Sequence, residues 1–554
     1  MARVWNDMMR QRITRRLLLQ GAGGAALGAS AIAVVGCGGG NGGGGAATPG
    51  TGSPAAQGTP KPGGILHYRQ EVGYANFNPF GPGISALVQG LFVGYALYDH
   101  LWFVPTDTGE VVPFLGTEFE VSEDGRQITV TMGEAVFWDK PPVNGRDVRA
   151  SDVKASIERF AEQIPFGFSW LQQVMDHIEA PDERTVVFYQ KRPWAWFFTA
   201  SNAGSPITSS IVPVEIVDDD DTLDTNPIGS GKWMLAGHDA GTNVKIRKFP
   251  NWREPGRPYL DGVDFVYAPD DLLAQTAFRA KDLDFIQGLN NIELKDMEDS
   301  FGDEIVTSSD LSRSYKCLML KNEPPFDDPE VRRGINLALN REEIRQVLNL
   351  GDGEFCGPVP PAHRKYVLEE DDPDLLEYFR FDPQEAKDVL TAAGFPFDQE
   401  FTLKYSNFAD APDLADVVGA QLRAIGMNVN LPGAEDLVAW LSNTLGPGNF
   451  QMTSFTHLAY EDPLLPLTFY VAPNQMGYDD ADVQAAYDKA AETLDETERI
   501  AATKEAQRVL IRKWAPMLNL HSATSFGARW DYLKGTIEGR GSYRLFNSGA
   551  WLDK

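Results

Sequence analysis

In the stretch GRQITVTMGEAVFW (125–138), Ile128, Val130 and Met132 are apolar at every second position, which predicts a strand with one buried face. The period then lengthens. In SDVKASIERFAEQ, Val153, Ile157 and Phe160 fall on one side at helical spacing, and Ser151 stands where a helix opens. DERTVVFYQ returns to strand spacing, and GKWMLAG followed by NVKIRKF reads as a hairpin. Further on, Asp328-Pro329 predicts the start of a helix through EVRRGINLALNREEIRQVLNL, because an acidic cap precedes a proline in the first turn. Asp382-Pro383 does the same for QEAKDVLTAAG, which should end at Gly394. DLADVVGAQLRAIG should end at Gly426, with NVNL following as a strand. The run from Asp482 to Ala515 reads as helix in two pieces. Strands and helices alternate without a fixed repeat, so the expected fold class is α/β, with helices covering sheets.

The opening of the chain departs from this pattern. TRRLLLQGAGGAALGASAIAVVGC, from Thr14 to Cys37, is apolar but carries Gly21, Gly23, Gly24 and Gly28, each costing roughly 1 kcal/mol against alanine in a helix. Five arginines and one acid, Asp7, lie between Arg3 and Arg16, and no charge occurs from Leu17 to Gly36. A basic head, an apolar middle and small residues at the end describe an export signal. The glycines make it a poor spanning helix despite its sufficient length. Gly21-x-Gly23-x-x-Ala26 matches a dinucleotide fingerprint only in letters, since no strand precedes it. The Arg15-Arg16 start resembles a twin-arginine signal, and Val34-Val35-Gly36-Cys37 resembles a bacterial lipoprotein box. That second resemblance implies that residues 1–36 are removed and that Cys37 is lipidated as the new N-terminus. Residues 38–62, rich in Gly, Pro and Ala, hold no large apolar side chain and read as a tether.

Composition narrows the function classes. The chain has 554 residues, enough for two or three lobes, with 43% hydrophobic residues to fill their cores. A formal charge of −29 repels phosphate backbones and anionic membrane surfaces, so no nucleic-acid partner is expected. Cys37, Cys317 and Cys356 are too few for a disulfide scaffold, and whether the last two pair is left open. The seven histidines show no metal-ligand spacing, so neither metal nor cofactor is expected. The DDDD run at 218–221 lacks the glycine and terminal glutamate of a calcium loop and reads as a solvated turn. Gly229-Ser230-Gly231-Lys232 is followed by Trp233, not Ser or Thr, so it is no phosphate loop. Trp233 and Trp252 are expected in the core. No GxSxG elbow or Cys-His-Asn signature occurs, which argues against a hydrolase.

From Gly63 to about Leu520 a series of short motifs resembles the large extracytoplasmic solute-binding proteins of peptide, nickel and opine ABC importers. GGILHYRQEVGYANFNPF resembles the family's opening strand and Asn-Pro turn, followed by YDHLW, PFLGTEFEVSEDGRQITVTMGEAVFW and VRASDVKASIERF. NPIGSGKWML stands where the family writes Gly-Thr-Gly-Pro-Tyr. FPNWREPGRPYLDGVDF, PPFDDPEVRRGINLALNREEI, FDPQEAKDVLTAAGF, QLRAIGMNVNL and NQMGYDDADVQAAYDKA continue the series in family order.

The resemblance implies a periplasmic-binding-protein-like fold of two main lobes with a hinge and a smaller inserted lobe. Lobe I would comprise residues 63–80, 205–315 and 520–554; lobe II, inserted, 81–204; and lobe III, 316–519. Crossings around Ser314–Cys317 and Met517–His521 would act as hinges. The function implied is capture of a small solute, a peptide foremost, by a lipid-anchored monomer outside the cytoplasm that delivers it to ABC permease subunits. The alternatives are a secreted hydrolase of peptides or oligosaccharides, or a binder of an oligosaccharide, opine or metal chelate. Phe77 and Asn78 would occupy the first cleft-lining turn, and His457, Tyr460 and Asp462 the segment of lobe III facing it. Phe77 equally suits core packing, and Asp462, before Pro463, equally suits a turn cap. Peptide-binding relatives often carry an aspartate just before the tyrosine matched by Tyr460, where it pairs with the ligand's α-amine. Here that residue is Ala459, and a tryptophan usual three positions earlier is Thr456.

Overall fold

The computed structural model describes residues 58–70, 76–80, 95–103, 111–163, 170–199, 210–239, 243–457, 462–535 and 549–554. Arg15, Arg16, Cys37 and Tyr460 lie outside the described residues. No described helix is long and apolar enough to cross a membrane.

Strand β1 (Ile65–Gln70) is followed by four strands that form a sheet of their own: β2 (Gly116–Val121), β3 (Gln127–Met132), β4 (Met175–Glu179) and β5 (Thr185–Gln190), in the order β2-β3-β5-β4. Ile128, Val130 and Met132 point inward from β3, as the alternation predicts, against α1 (Ala150–Gln163), which buries Val153, Ile157 and Phe160. The chain then returns to the sheet that β1 began. β6 (Trp233–Asp239) and β7 (Asn243–Lys248) form the expected antiparallel hairpin. β8 (Gly262–Tyr267) lies parallel to β1, Ile65 opposite Gly262 and Gln70 opposite Tyr267. Helix α2 (Asp271–Arg279) leads to β9 (Phe285–Leu289), and α3 (Asn291–Phe301) leads to β10 (Ile305–Leu311).

A third sheet begins at β11 (Tyr315–Leu320). Helices α4 (Pro329–Leu337), α5 (Arg341–Asn349), α6 (Pro383–Ala392) and α7 (Ala411–Ala424) precede or separate β12 (Glu400–Lys404), β13 (Asn428–Asn430) and β14 (Met452–His457). Helices α8 (Ala481–Glu492) and α9 (Glu496–Arg512) precede β15 (Met517–Asn519), and the chain re-joins the first sheet as β16 (Thr524–Trp530). The first sheet runs β10-β16-β9-β1-β8-β7-β6 and the third β13-β12-β14-β11-β15.

Local signals set the helix ends. Asp328 accepts from Glu330 N at 2.8 Å and Asp382 from Glu385 N at 2.9 Å, each ahead of its proline. Gly394 and Gly426 follow their helices at φ +72° and +99°, where a side chain would strain the backbone. The helix expected through EVRRGINLALNREEIRQVLNL is two helices, because the Asn340 side chain accepts from Glu343 N and starts α5 afresh. Asp219 of the acidic run caps a short exposed helix, Asp220–Thr225, rather than a simple turn. Gly229 has no room for a Cβ, which would meet Leu97 O at 2.0 Å; the GSG loop is a packing seam. Trp233 and Trp252 are buried beside it.

The third sheet buries Leu318, Leu320, Leu403 and Met452 against Val331, Ile335, Leu390, Leu414 and Val418 of its helices. Cys317 and Cys356 are both buried free thiols, and burial pushes the Cys356 thiol up to about 12. Two crossings join the first and third sheets, β10 to β11 and β15 to β16. They run antiparallel, tied by Ser312 N to Ala523 O and Leu520 N to Lys316 O, both 2.8 Å.

Candidate functional site

In an open sheet with parallel strands, ligands collect beyond the carboxyl ends where neighbouring connections leave in opposite directions. In the first sheet that point is β1. It lies between β8 and β9, parallel to both, with β1 leading away towards β6–β8 and β9 towards β10. Arg69, near the end of β1, is buried and ties three strand ends together. Its Nε donates to Ala268 O at 2.9 Å, Nη1 to Gln287 O at 3.5 Å and Nη2 to the exposed Asp271 carboxylate at 2.7 Å. Sequence reasoning missed Arg69; the only signal was a cation in an otherwise inward-facing strand end.

Phe77 and Asn78 lie further along the segment that leaves β1. Phe77 is 3% exposed, its ring set edge-on to His238 at 4.8 Å and its carbonyl accepting from Tyr98 Oη at 3.1 Å. Asn78 is equally buried. Its Oδ1 accepts from Phe80 N at 2.8 Å, closing the Asn-Pro turn, while Nδ2 donates to Asp220 Oδ1 at 2.9 Å. Both side chains hold the turn in place.

On the third sheet, the first crossing meets the end of β14. Tyr315 lies opposite His457, their rings stacked 4.5 Å apart, and Ser314 Oγ donates to His457 O at 2.5 Å. Phe455 and Phe469 complete an aromatic cage around the imidazole, and burial pulls its pKa down to about 3. His457 is therefore a neutral packed imidazole, not an acid or base at neutral pH. Asp462, 2% exposed, caps a turn: Oδ1 accepts from Leu464 N at 2.7 Å, and Oδ2 from Thr199 Oγ1 at 2.6 Å. The turn cap expected of Asp462 is present, together with a partner from the second sheet.

Beside them Lys316, opposite Thr456, reaches Asp410 Oδ2 at 2.8 Å. Lys316 is 5% exposed, the one charge in the buried hexapeptide YKCLML. Asp410 follows the carboxyl end of β12 and opens α7, with its carboxylate turned to Lys316 and not to the helix. This pair was also missed, although a lysine inside an apolar strand was a visible signal. Among the described residues no cluster of His, Cys, Asp and Glu could hold a metal ion. Arg69 and Lys316 thus stand near the ends of two interior strands, each paired with one carboxylate.

A family model for bacterial extracellular solute-binding proteins, family 5 middle, matches residues 110–478. Di/tripeptide-binding protein 2 of Pseudomonas aeruginosa is 24% identical over 467 residues, 76% of this chain and 84% of that protein. Helicobacter pylori DppA in complex with the peptide STSA superposes with a TM-score of 0.76 at 24% identity, over 89% of this chain and 99% of that one. AgaA of Agrobacterium tumefaciens R10 in complex with agropinic acid gives 0.76 at 22% identity, with the same coverage. The two superpositions show a periplasmic-binding-protein fold, the family match covers most of the chain, and these relatives are binding proteins rather than enzymes. The chain belongs to the bacterial extracellular solute-binding proteins of family 5.

Proposed function

We propose that the protein captures a small solute, a peptide before other classes, by closing two lobes over it, and delivers it unaltered to the permease of an ABC importer. The observation that carries this reading is the pair of neighbouring crossings between the first and third sheets, with Tyr315 of one opposite the end of β14 and β9 standing between the other and β1. Lobe I would hold the first sheet (63–80, 205–315, 520–554), lobe II the second (81–204) and lobe III the third (316–519). Asp462 and Tyr460 would supply polar contacts from lobe III, over a base set by His457. Phe77 and Asn78 would shape the facing turn. The Arg15-Arg16 signal and Cys37 would leave the mature chain lipid-anchored outside the cytoplasm.

A second reading, a non-peptide solute such as an opine, draws support from one sequence feature. Ala459 stands where peptide-binding relatives often carry an amine-pairing acid. The AgaA complex with agropinic acid gives the same superposition score as the peptide complex. Both readings meet one experiment. The purified protein is heated with a pool of di- and tripeptides, and separately with a pool of opines. The peptide pool is expected to raise the melting temperature by mass action, with every peptide recovered intact by mass spectrometry. A shift with opines alone would replace peptide by opine, and hydrolysis products would replace capture by catalysis.

A further inference from the structure

The turn at 192–199, which follows β5 and belongs to the inserted lobe as proposed above, reaches into the third lobe. Helix α8 ends at Glu492, and its last carbonyls have no partner within the helix. The inserted lobe supplies two of the missing donors. Ala195 N donates to Ala491 O at 2.8 Å, and Trp196 Nε1 to Ala490 O at 3.0 Å, across 294 residues of chain. Arg192 Nη1 adds a cation at the same end, 2.6 Å from Asp488 Oδ1 and 2.7 Å from Glu492 Oε1, where the helix dipole favours positive charge.

Apolar packing reinforces the seam. Trp196 stands 5.2 Å from the Tyr366 ring and takes the Arg499 guanidinium over its face at 5.2 Å, while Trp194 packs 6.3 Å from Tyr487. At its far end Thr199 bonds to Asp462. The Thr199 hydroxyl has one hydrogen for two acceptors, Trp196 O and Asp462 Oδ2, each 2.6 Å away. Thr199 N donates to Trp196 O at 3.2 Å and closes the turn from the backbone, which leaves the hydroxyl hydrogen to the carboxylate across the seam.

We propose that Thr199 is a positioning residue for Asp462 and the turn it caps, and that the 192–199 turn clasps the third lobe by capping α8 from outside. The proposal rests on the reading that Asp462 faces the ligand. The inserted lobe, by this account, sets where Asp462 sits in a lobe to which it has no direct chain connection.

Hydrogen–deuterium exchange on the ligand-free protein tests it, so peptide capture can fail while the clasp stands, and the reverse. Thr199→Val is expected to speed exchange in residues 462–470 about tenfold, the scale of a lost bond to a charged group, with 329–349 unchanged. Thr199→Ser keeps the hydroxyl and should exchange as the wild type does. Trp196→Phe, which removes only the indole donor, should speed exchange at the end of α8. Unchanged exchange in Thr199→Val or in Trp196→Phe, a Thr199→Ser protein as fast as Thr199→Val, or a rise shared by 329–349 would overturn the proposal.

Discussion

Lys232 lies 4% exposed, its ammonium 5.5 Å over the Trp252 ring and 5.9 Å over Phe114. Burial pulls its pKa down to about 7; Glu254 and Asp99 oppose the shift, and Arg253 and Arg257 add to it. The unfolded chain keeps the ordinary value of 10.5. Below pH 7 both states hold the proton, and the cost of burying it is constant. Between pH 7 and 10.5 only the unfolded state holds it, so stability rises with pH, by about 1.4 kcal/mol per unit from this group. Lys232→Met should flatten that rise. Urea unfolding at pH 7 and pH 9 is expected to show the wild type gaining about 2–3 kcal/mol relative to the variant. Parallel pH dependence in the two proteins would contradict this. Single residues were the hardest part to foresee. Arg69 finds its partners 199 to 218 positions away and Asp462 meets Thr199 at a separation of 263, so no window of sequence contains either arrangement.

Helices and their ends were legible because the groups that decide them are neighbours. Asp382-Pro383 and Gly394 bracket α6 within a dozen residues, and each acts on backbone groups two or three positions away. Asp382→Ala should therefore cost about 1 kcal/mol, read as a lower urea midpoint with an unchanged slope. Ligand affinity should stay the same, since α6 packs Ala386 and Leu390 into the core beside α4 and carries no residue of the candidate site. The break between α4 and α5 was open to the same logic. Asn340 and Glu343 stand at capping spacing, and an asparagine side chain competes with helix continuation by satisfying a start. The apolar spacing of Val331, Ile335 and Leu339, four residues apart, ran up to the break and masked it.

The alternation of strands and helices was enough to expect α/β lobes, but the strand order was not contained in it. Nothing local places β1 between β8 and β9, or sends β16 back between β9 and β10. The chain's beginning lies outside the described residues. Metabolic labelling with a fatty acid should mark the intact protein and leave a Cys37→Ala form unmarked; equal labelling would remove the anchor.

The two crossings lie edge to edge, with Leu311 opposite Thr524, Cys317 opposite Asn519, and bonds between them from Ser312 to Ala523 and from Leu520 to Lys316. Such a ribbon flexes across its flat face and resists bending in its own plane. If the lobes close as proposed, they would nod rather than swivel, and gape would become a single coordinate. Guests of different bulk would then stop the bite at different points along one arc, and any receiver of the cargo could gauge occupancy from that angle alone.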